Sequence, residues 1–281
     1  MTRNIYFHNG GFWSMPHYIG AINELVKNKE KNFIYYGNSA GASWALVCYL
    51  VLNGFLPYES MRPKVYKVFE KKRPISTVLT PIYCDLIDIM TPYWPSDLSK
   101  LVSGILNVGV STKYGHKFIN TFNTNCDLYN ALLCSGTIAG LSNYESVIDS
   151  ELCLDGGYMF NINLVPKNTM IIESDTWELF SLTCPPSSIT PLLENNGRRN
   201  VKYGLNNPVH CHNFGTTYMN VMFKIHELFY KEPMWKRHIK KRCKRSDCKR
   251  SDCKRSDCKR SDCKRRDCNQ DINNDTIDKS I

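Results

Sequence analysis

Residues 33–52 constrain this chain more than any others. Phe33-Ile34-Tyr35-Tyr36 is an apolar, aromatic run of strand type. Ala42 to Leu52 is mostly apolar and long enough for a buried helix. Between them Gly37-Asn38-Ser39-Ala40-Gly41 reads G-x-S-x-G. A strand that enters a helix through so few residues turns sharply. The residue at the apex then sits in a backbone region that side chains avoid. Side chains two positions to either side would collide across the turn, so glycine suits positions 37 and 41. The helix aims its free N–H groups and partial positive charge at the apex. Strand, tight turn and helix around a serine is the setting of a nucleophile elbow, although a turn of this shape also occurs without chemistry.

The flanking segments extend the pattern. Ile5-Tyr6-Phe7-His8 reads as a first strand and Asn9-Gly10-Gly11 as a turn. From Pro16 to Lys27, Tyr18, Ile19, Ile22, Leu25 and Val26 follow helical spacing, with Pro16 in the first turn and Ser14 as the cap. β-α-β-α within the first 52 residues predicts an α/β fold with a mostly parallel sheet. Between residues 55 and 110 six prolines break the pattern. Val65–Phe69 and Leu98–Leu106 read as short helices. Tyr83–Met90 and Thr91–Pro95 form an apolar, aromatic insertion, either core under a long loop or a cap facing an apolar ligand. Leu128–Cys134 is an apolar run, followed by the small-residue loop Ser135–Gly140. Glu151–Leu154 reads as a strand ending at Asp155-Gly156-Gly157, Met170–Glu173 as another, and Tyr218–Tyr230 as the last packed helix.

A serine becomes a nucleophile only with a base, and the oxyanion it creates needs donors. Gly10-Gly11 follows the first strand, one βα unit before the elbow. In a parallel sheet both turns emerge at the same carboxyl edge, where ligands bind. Two glycines let backbone N–H groups approach an oxyanion. Asp155 is the candidate base, with Gly156 and Gly157 keeping its approach open; seen alone, Asp-Gly-Gly is a common turn. A Ser-Asp-His arrangement is open too, since His210 and His212 follow Asp155. Yet the usual triad hydrolases place several strands before the elbow, and here one β-α-β unit precedes it. Without a histidine, Asp155 takes the serine proton itself and later activates water.

The formal charge of +10 suggests a nucleic-acid partner until its location is examined. Sixteen Lys or Arg against five Asp lie between Lys236 and Cys268, a surplus of eleven, so the remainder is close to neutral. In that tail Cys-Lys-Arg-Ser-Asp recurs every five residues, a period that turns a helix by about 140° beyond a full turn and builds no face. The expected organisation is a folded domain over 1–235 and a disordered low-complexity tail over 236–281. The tail is either a solvated charge run, a contact for anionic membrane or nucleic acid, a thiolate metal site of unfavourable spacing, or a source of disulfides. Seven further cysteines are scattered in mostly apolar settings, which suits buried thiols in a reducing compartment. With no signal-peptide h-region at the N-terminus and no window of about 18 apolar residues, a cytoplasmic protein without a transmembrane helix is expected. His210-Cys211-His212 is a weak metal motif, because alternate strand residues point to opposite faces.

Three blocks together resemble the patatin-like phospholipases, a family of serine-aspartate lipid acyl hydrolases. Gly37-Asn38-Ser39-Ala40-Gly41 matches the family's G-x-S-x-G, Asp155-Gly156-Gly157 its D-G-[GA], and His8–Ser14 its glycine-rich oxyanion loop. The segment Cys134–Gly140 resembles the small-residue stretch that precedes the aspartate. The resemblance covers roughly residues 4–165 and implies a three-layer α/β/α sandwich. It implies Ser39 as nucleophile, Asp155 as base, backbone N–H groups at Gly10 and Gly11 for the oxyanion, and no metal or organic cofactor. The implied substrate is a phospholipid or glyceride ester, met at a membrane surface. Asn9, Trp13 and Ser14 depart from the usual G-G-G-x-[RK]-G. Losing the cation at 13 removes a partner for phosphate and favours neutral glycerides or other esters. The alternative is a catalytically weak or inactive relative that binds anionic lipid or nucleic acid through its basic tail.

Overall fold

The computed structural model describes residues 2–8, 11, 14–70, 79–139, 142, 146–173, 190–203 and 220–224. The tail from 236 lies outside them, as do Asn9, Gly10, Trp13, His210 and His212. The first four elements follow the expected order: β1 (Arg3–Phe7), α1 (Met15–Lys27), β2 (Phe33–Asn38) and α2 (Ala40–Leu52). Ser14 stands at the N-cap of α1, but its side chain makes no capping hydrogen bond. α2 is buried along its whole length, which is why its sequence shows no polar face.

The middle of the chain is more regular than its prolines suggest. It holds α3 (Tyr58–Glu70), with Pro63 inside it, α4 (Leu79–Met90) and α5 (Leu98–Val102). The apolar insertion Tyr83–Met90 is therefore helix. Next come β3 (Leu106–Thr112) and β4 (Gly115–Ile119), an antiparallel pair, and α6 (Asn125–Ser135). A capping box starts α6: the Asp127 N–H donates to Thr124 Oγ1 at 3.1 Å and the Thr124 N–H to Asp127 Oδ2 at 3.0 Å. The expected strand 151–154 is two strands. β5 (Val147–Ile148) and β6 (Glu151–Leu152) form a separate small hairpin, and β7 (Leu154–Asp155) joins the main sheet after a break at Cys153. β8 (Met170–Ile172) and α7 (Thr190–Tyr203) follow, and 220–224 is helical, inside the expected last helix.

The result is a mixed α/β fold around a mostly parallel sheet in the order β4-β3-β2-β1-β8, with β7 paired to β3. β1, β2, β3 and β8 are parallel; β4 and β7 run antiparallel to β3. Alternation sorts the two faces. Ile5, Phe7, Phe33, Tyr35 and Ile172 enter the main core with α1, α2, α4 and α6. Tyr6, Tyr36 and Ile171 point the other way and pack with Phe118 and the segment holding Phe160, Ile162 and Val165. α7 closes on α1 through two glycines: a Cβ on Gly20 would lie 1.9 Å from the Glu194 carbonyl oxygen, and one on Gly197 1.9 Å from that of His17.

No helix among the described residues is long and apolar enough to cross a membrane. Cys48, Cys134 and Cys153 are buried free thiols and Cys84 is half-buried, but Cys126 is exposed, against the expectation of apolar surroundings.

Candidate active site

Ser39 stands between β2 and α2 with φ 54° and ψ −132°, a conformation that side chains rarely adopt. The flanking glycines are required by space. A Cβ on Gly37 would come within 2.4 Å of the Gly41 carbonyl oxygen, and one on Gly41 within 2.2 Å of the Phe7 carbonyl oxygen. The second contact seats the start of α2 against the end of β1. Ser39 is half-buried, so its hydroxyl is not sealed in the core.

The register of β3 brings Asp155 to the same place. β2 pairs with β3 as far as Asn38 opposite Gly109, then leaves the sheet at Ser39. β7 takes over the vacated edge one residue later, with Asp155 opposite Val110. Serine and aspartate, far apart in sequence, thus follow each other along one strand edge. Gly156 allows the approach, since its Cβ would lie 2.2 Å from the Gly109 carbonyl oxygen. The Gly157 N–H donates to Asp155 Oδ1 at 2.8 Å. Burial raises the Asp155 pKa from 3.8 to about 7, opposed by hydrogen bonding from the Ser39 hydroxyl and the Gly157 N–H. The serine contact falls short of full hydrogen-bond geometry, and Oδ2 is the carboxylate oxygen left without an ordinary partner.

No family model and no curated protein sequence matches this chain.

Side chains that the sequence reading did not select complete the arrangement. The Ser39 N–H donates to Ser135 Oγ at 2.9 Å, and Ser135 Oγ–H donates to the Gly109 carbonyl at 2.6 Å. Tyr83 donates its hydroxyl to the Ser39 carbonyl at 2.9 Å and accepts from Ser43 Oγ at 2.8 Å. The Gly156 N–H donates to the Ser135 carbonyl at 3.1 Å. Ser135 belongs to the small-residue segment noticed in the sequence; Tyr83 carried no signal beyond being aromatic. On the other face, Asn38 donates to the Tyr6 hydroxyl at 2.9 Å and its Oδ1 meets His116 Nε2 at 3.1 Å. Burial lowers the His116 pKa from 6.5 to about 4, so the ring is neutral near pH 7. Oδ1 only accepts, so Nε2 carries the hydrogen.

Of the expected oxyanion donors, Gly11 is described, with φ 55°, and Gly10 lies outside the described residues. The Ser39 N–H is committed to Ser135, so an oxyanion would need other donors, such as the first amides of α2. One residue past β1, His8 Nδ1 pairs with Glu173 Oε1 at 3.2 Å, both side chains buried. Among the described residues no group of three or more His, Cys, Asp or Glu is placed to hold a metal ion.

Proposed function

We propose that this chain is a carboxylic-ester hydrolase acting on lipid acyl esters through a Ser39–Asp155 dyad, in the manner of the patatin-like family it resembles. The Ser39 hydroxyl attacks the ester carbonyl as its proton passes to Asp155 Oδ2. Oδ1, anchored by Gly157, keeps the carboxyl oriented. Backbone N–H groups at Gly10 and Gly11 receive the oxyanion. The tetrahedral intermediate collapses, the C–O bond to the alcohol breaks, and Asp155 returns the proton to the leaving alkoxide. Asp155 then takes a proton from water, whose oxygen attacks the acyl-enzyme; the Ser39 Oγ–acyl bond breaks, Asp155 returns the proton to Ser39 and the fatty acid leaves. Each step balances without a metal or an organic cofactor.

One observation carries the reading: an elbow serine in strained backbone and a buried carboxyl of raised pKa adjoin at one edge of β3. Buried, polarised carboxyls beside a nucleophile are what proton transfer near neutral pH needs. The three-layer sandwich belongs to the same proposal. So does the preference for glycerides or other neutral esters over phosphate headgroups, which follows from Trp13 where the family carries a cation. Contact with the substrate's membrane is peripheral.

The test is a fluorophosphonate probe with a panel of glyceride and phospholipid esters, applied to the full chain and to Ser39→Ala and Asp155→Asn. Wild type is expected to label and turn over, Ser39→Ala to do neither, and Asp155→Asn to label at least about a hundredfold more slowly. Equal labelling of all three proteins rules the dyad out.

A further inference from the structure

Ser39 pays for its conformation on the order of 1–3 kcal/mol, and such strain persists only where surrounding structure over-determines it. The surroundings that do so are specific. Both peptide groups of Ser39 are gripped by side chains from outside the elbow: its N–H by Ser135 at the end of α6, its carbonyl by Tyr83 in α4.

We propose that Ser135 and Tyr83 are positioning residues that clamp Ser39, and that Ser135 is also the joint from which the aspartate turn hangs. The catalytic consequence rests on the ester-hydrolase reading above; the clamp itself does not.

Ser135 ties together three segments. Its Oγ accepts from Ser39 and donates to Gly109, the β3 residue opposite Asn38. Its carbonyl accepts from Gly156, and two residues on, the Thr137 carbonyl accepts from the Asp155 N–H at 2.8 Å. The distance between serine and aspartate is therefore set through α6's last residue and the turn after it, as well as through the sheet. Ser135 is fully buried, so water cannot replace its hydroxyl. Tyr83 is fitted with equal care. A Cβ on Gly136 would lie 2.7 Å from its ring, so glycine after Ser135 is what admits the phenol. Burial pushes the Tyr83 pKa upward, so the phenol remains a donor throughout the working range. α4, read from sequence as core or cap, thus supplies part of the grip on the serine.

The roles are separated from simple loss of stability by a control. Ser103 makes the same kind of bonds at the other end of β3: its Oγ donates to the Ser99 carbonyl at 2.8 Å and accepts from the Phe122 N–H at 3.0 Å. Full-length wild type, Ser135→Ala, Tyr83→Phe and Ser103→Ala are compared by hydrogen exchange over the peptide containing Ser39 and by steady-state ester hydrolysis. In Ser135→Ala the Ser39 amide is expected to exchange at least about tenfold faster than in wild type or Ser103→Ala. With it, kcat falls at least about tenfold while KM stays within about twofold, the signature of a misaligned nucleophile rather than lost binding. Tyr83→Phe lowers kcat in the same direction with KM kept. If Ser135→Ala does not fold, Ser135→Cys keeps the shape with a weaker hydrogen-bond partner and is expected to show the same changes in smaller measure. Unchanged Ser39 exchange in the Ser135 variants overturns the clamp; a kcat loss no larger than that of Ser103→Ala overturns its catalytic consequence. If wild type neither hydrolyses esters nor takes the probe, the hydrolase reading fails alone. The exchange comparison still decides whether Ser135 holds Ser39.

Discussion

At the scale of the residue, Ser39 and Asp155 each depart from what an isolated side chain would choose, and each departure predicts a measurement. Asp155 must be ionised to accept a proton, and burial has moved its pKa to about 7. Hydrolysis is therefore expected to be slow in mild acid and to rise with pH to a plateau, with a midpoint near 7 in kcat/KM measured between pH 5 and 9. A profile already flat from pH 5 would mean that another base, or none, is at work. Ser39, with φ 54° and ψ −132°, would be relieved by glycine. The relief of about 1–3 kcal/mol exceeds the entropic cost of a glycine, about 0.5–1 kcal/mol. Ser39→Gly is thus expected to be inactive and about 1 kcal/mol more stable in urea unfolding, whereas Ser39→Ala keeps the strain. A less stable glycine variant would show that the backbone at 39 is not strained in solution.

At the scale of the element, α1 and α7 show a sign reversal. Gly→Ala within a helix ordinarily stabilises by about 0.5–1 kcal/mol. Here a Cβ on Gly20 or Gly197 would overlap a backbone carbonyl of the other helix, so either substitution is expected to lower the unfolding free energy by about 2 kcal/mol or more. Thermal denaturation gives the sign directly. The same pair shows where the sequence is readable and where it is not. α1 announces itself through apolar spacing and a proline in its first turn. α7, with Pro191, three asparagines, Gly197 and few apolar residues, has weak local preference; it is helical because it packs on α1. β1, β2 and α2 were legible because strand, sharp turn and buried helix each leave a local mark. β3 left none. It is buried on both faces, so it does not alternate, and it carries Asn107, Gly109, Ser111 and Thr112. Gly109 is there for a partner, since its Cβ would lie 1.7 Å from Asn38 Oδ1. The two glycine-marked turns were visible one at a time. Their meeting depended on β3, and the hydrogen bonds of Ser135 and Tyr83 on α6 and α4, all non-local.

At the scale of the whole molecule, the buried carboxyl of Asp155 and the half-buried imidazole of His116 set opposing responses to acid. Asp155 favours its neutral form in the fold: the stability linked to it is complete below pH 3.8 and is lost as pH rises through 7. His116 also favours its neutral form, but for a base that runs the other way: its stability is complete above pH 6.5 and is lost as pH falls through 4. Between roughly pH 4 and 6.5 the two slopes, each at most about 1.4 kcal/mol per pH unit, have opposite signs and largely cancel. Asp155→Asn removes one slope and His116→Gln the other, while the remaining surface carboxylates titrate alike in both variants. The melting temperature of Asp155→Asn is therefore expected to drop relative to wild type as pH is lowered from 6.5 to 4, and that of His116→Gln to rise relative to wild type over the same range. Divergence of the two curves is the decisive feature, because a change in overall charge would move them together. Parallel curves would mean that both groups are solvated, and for Asp155 that would remove the burial on which its proposed role as base depends.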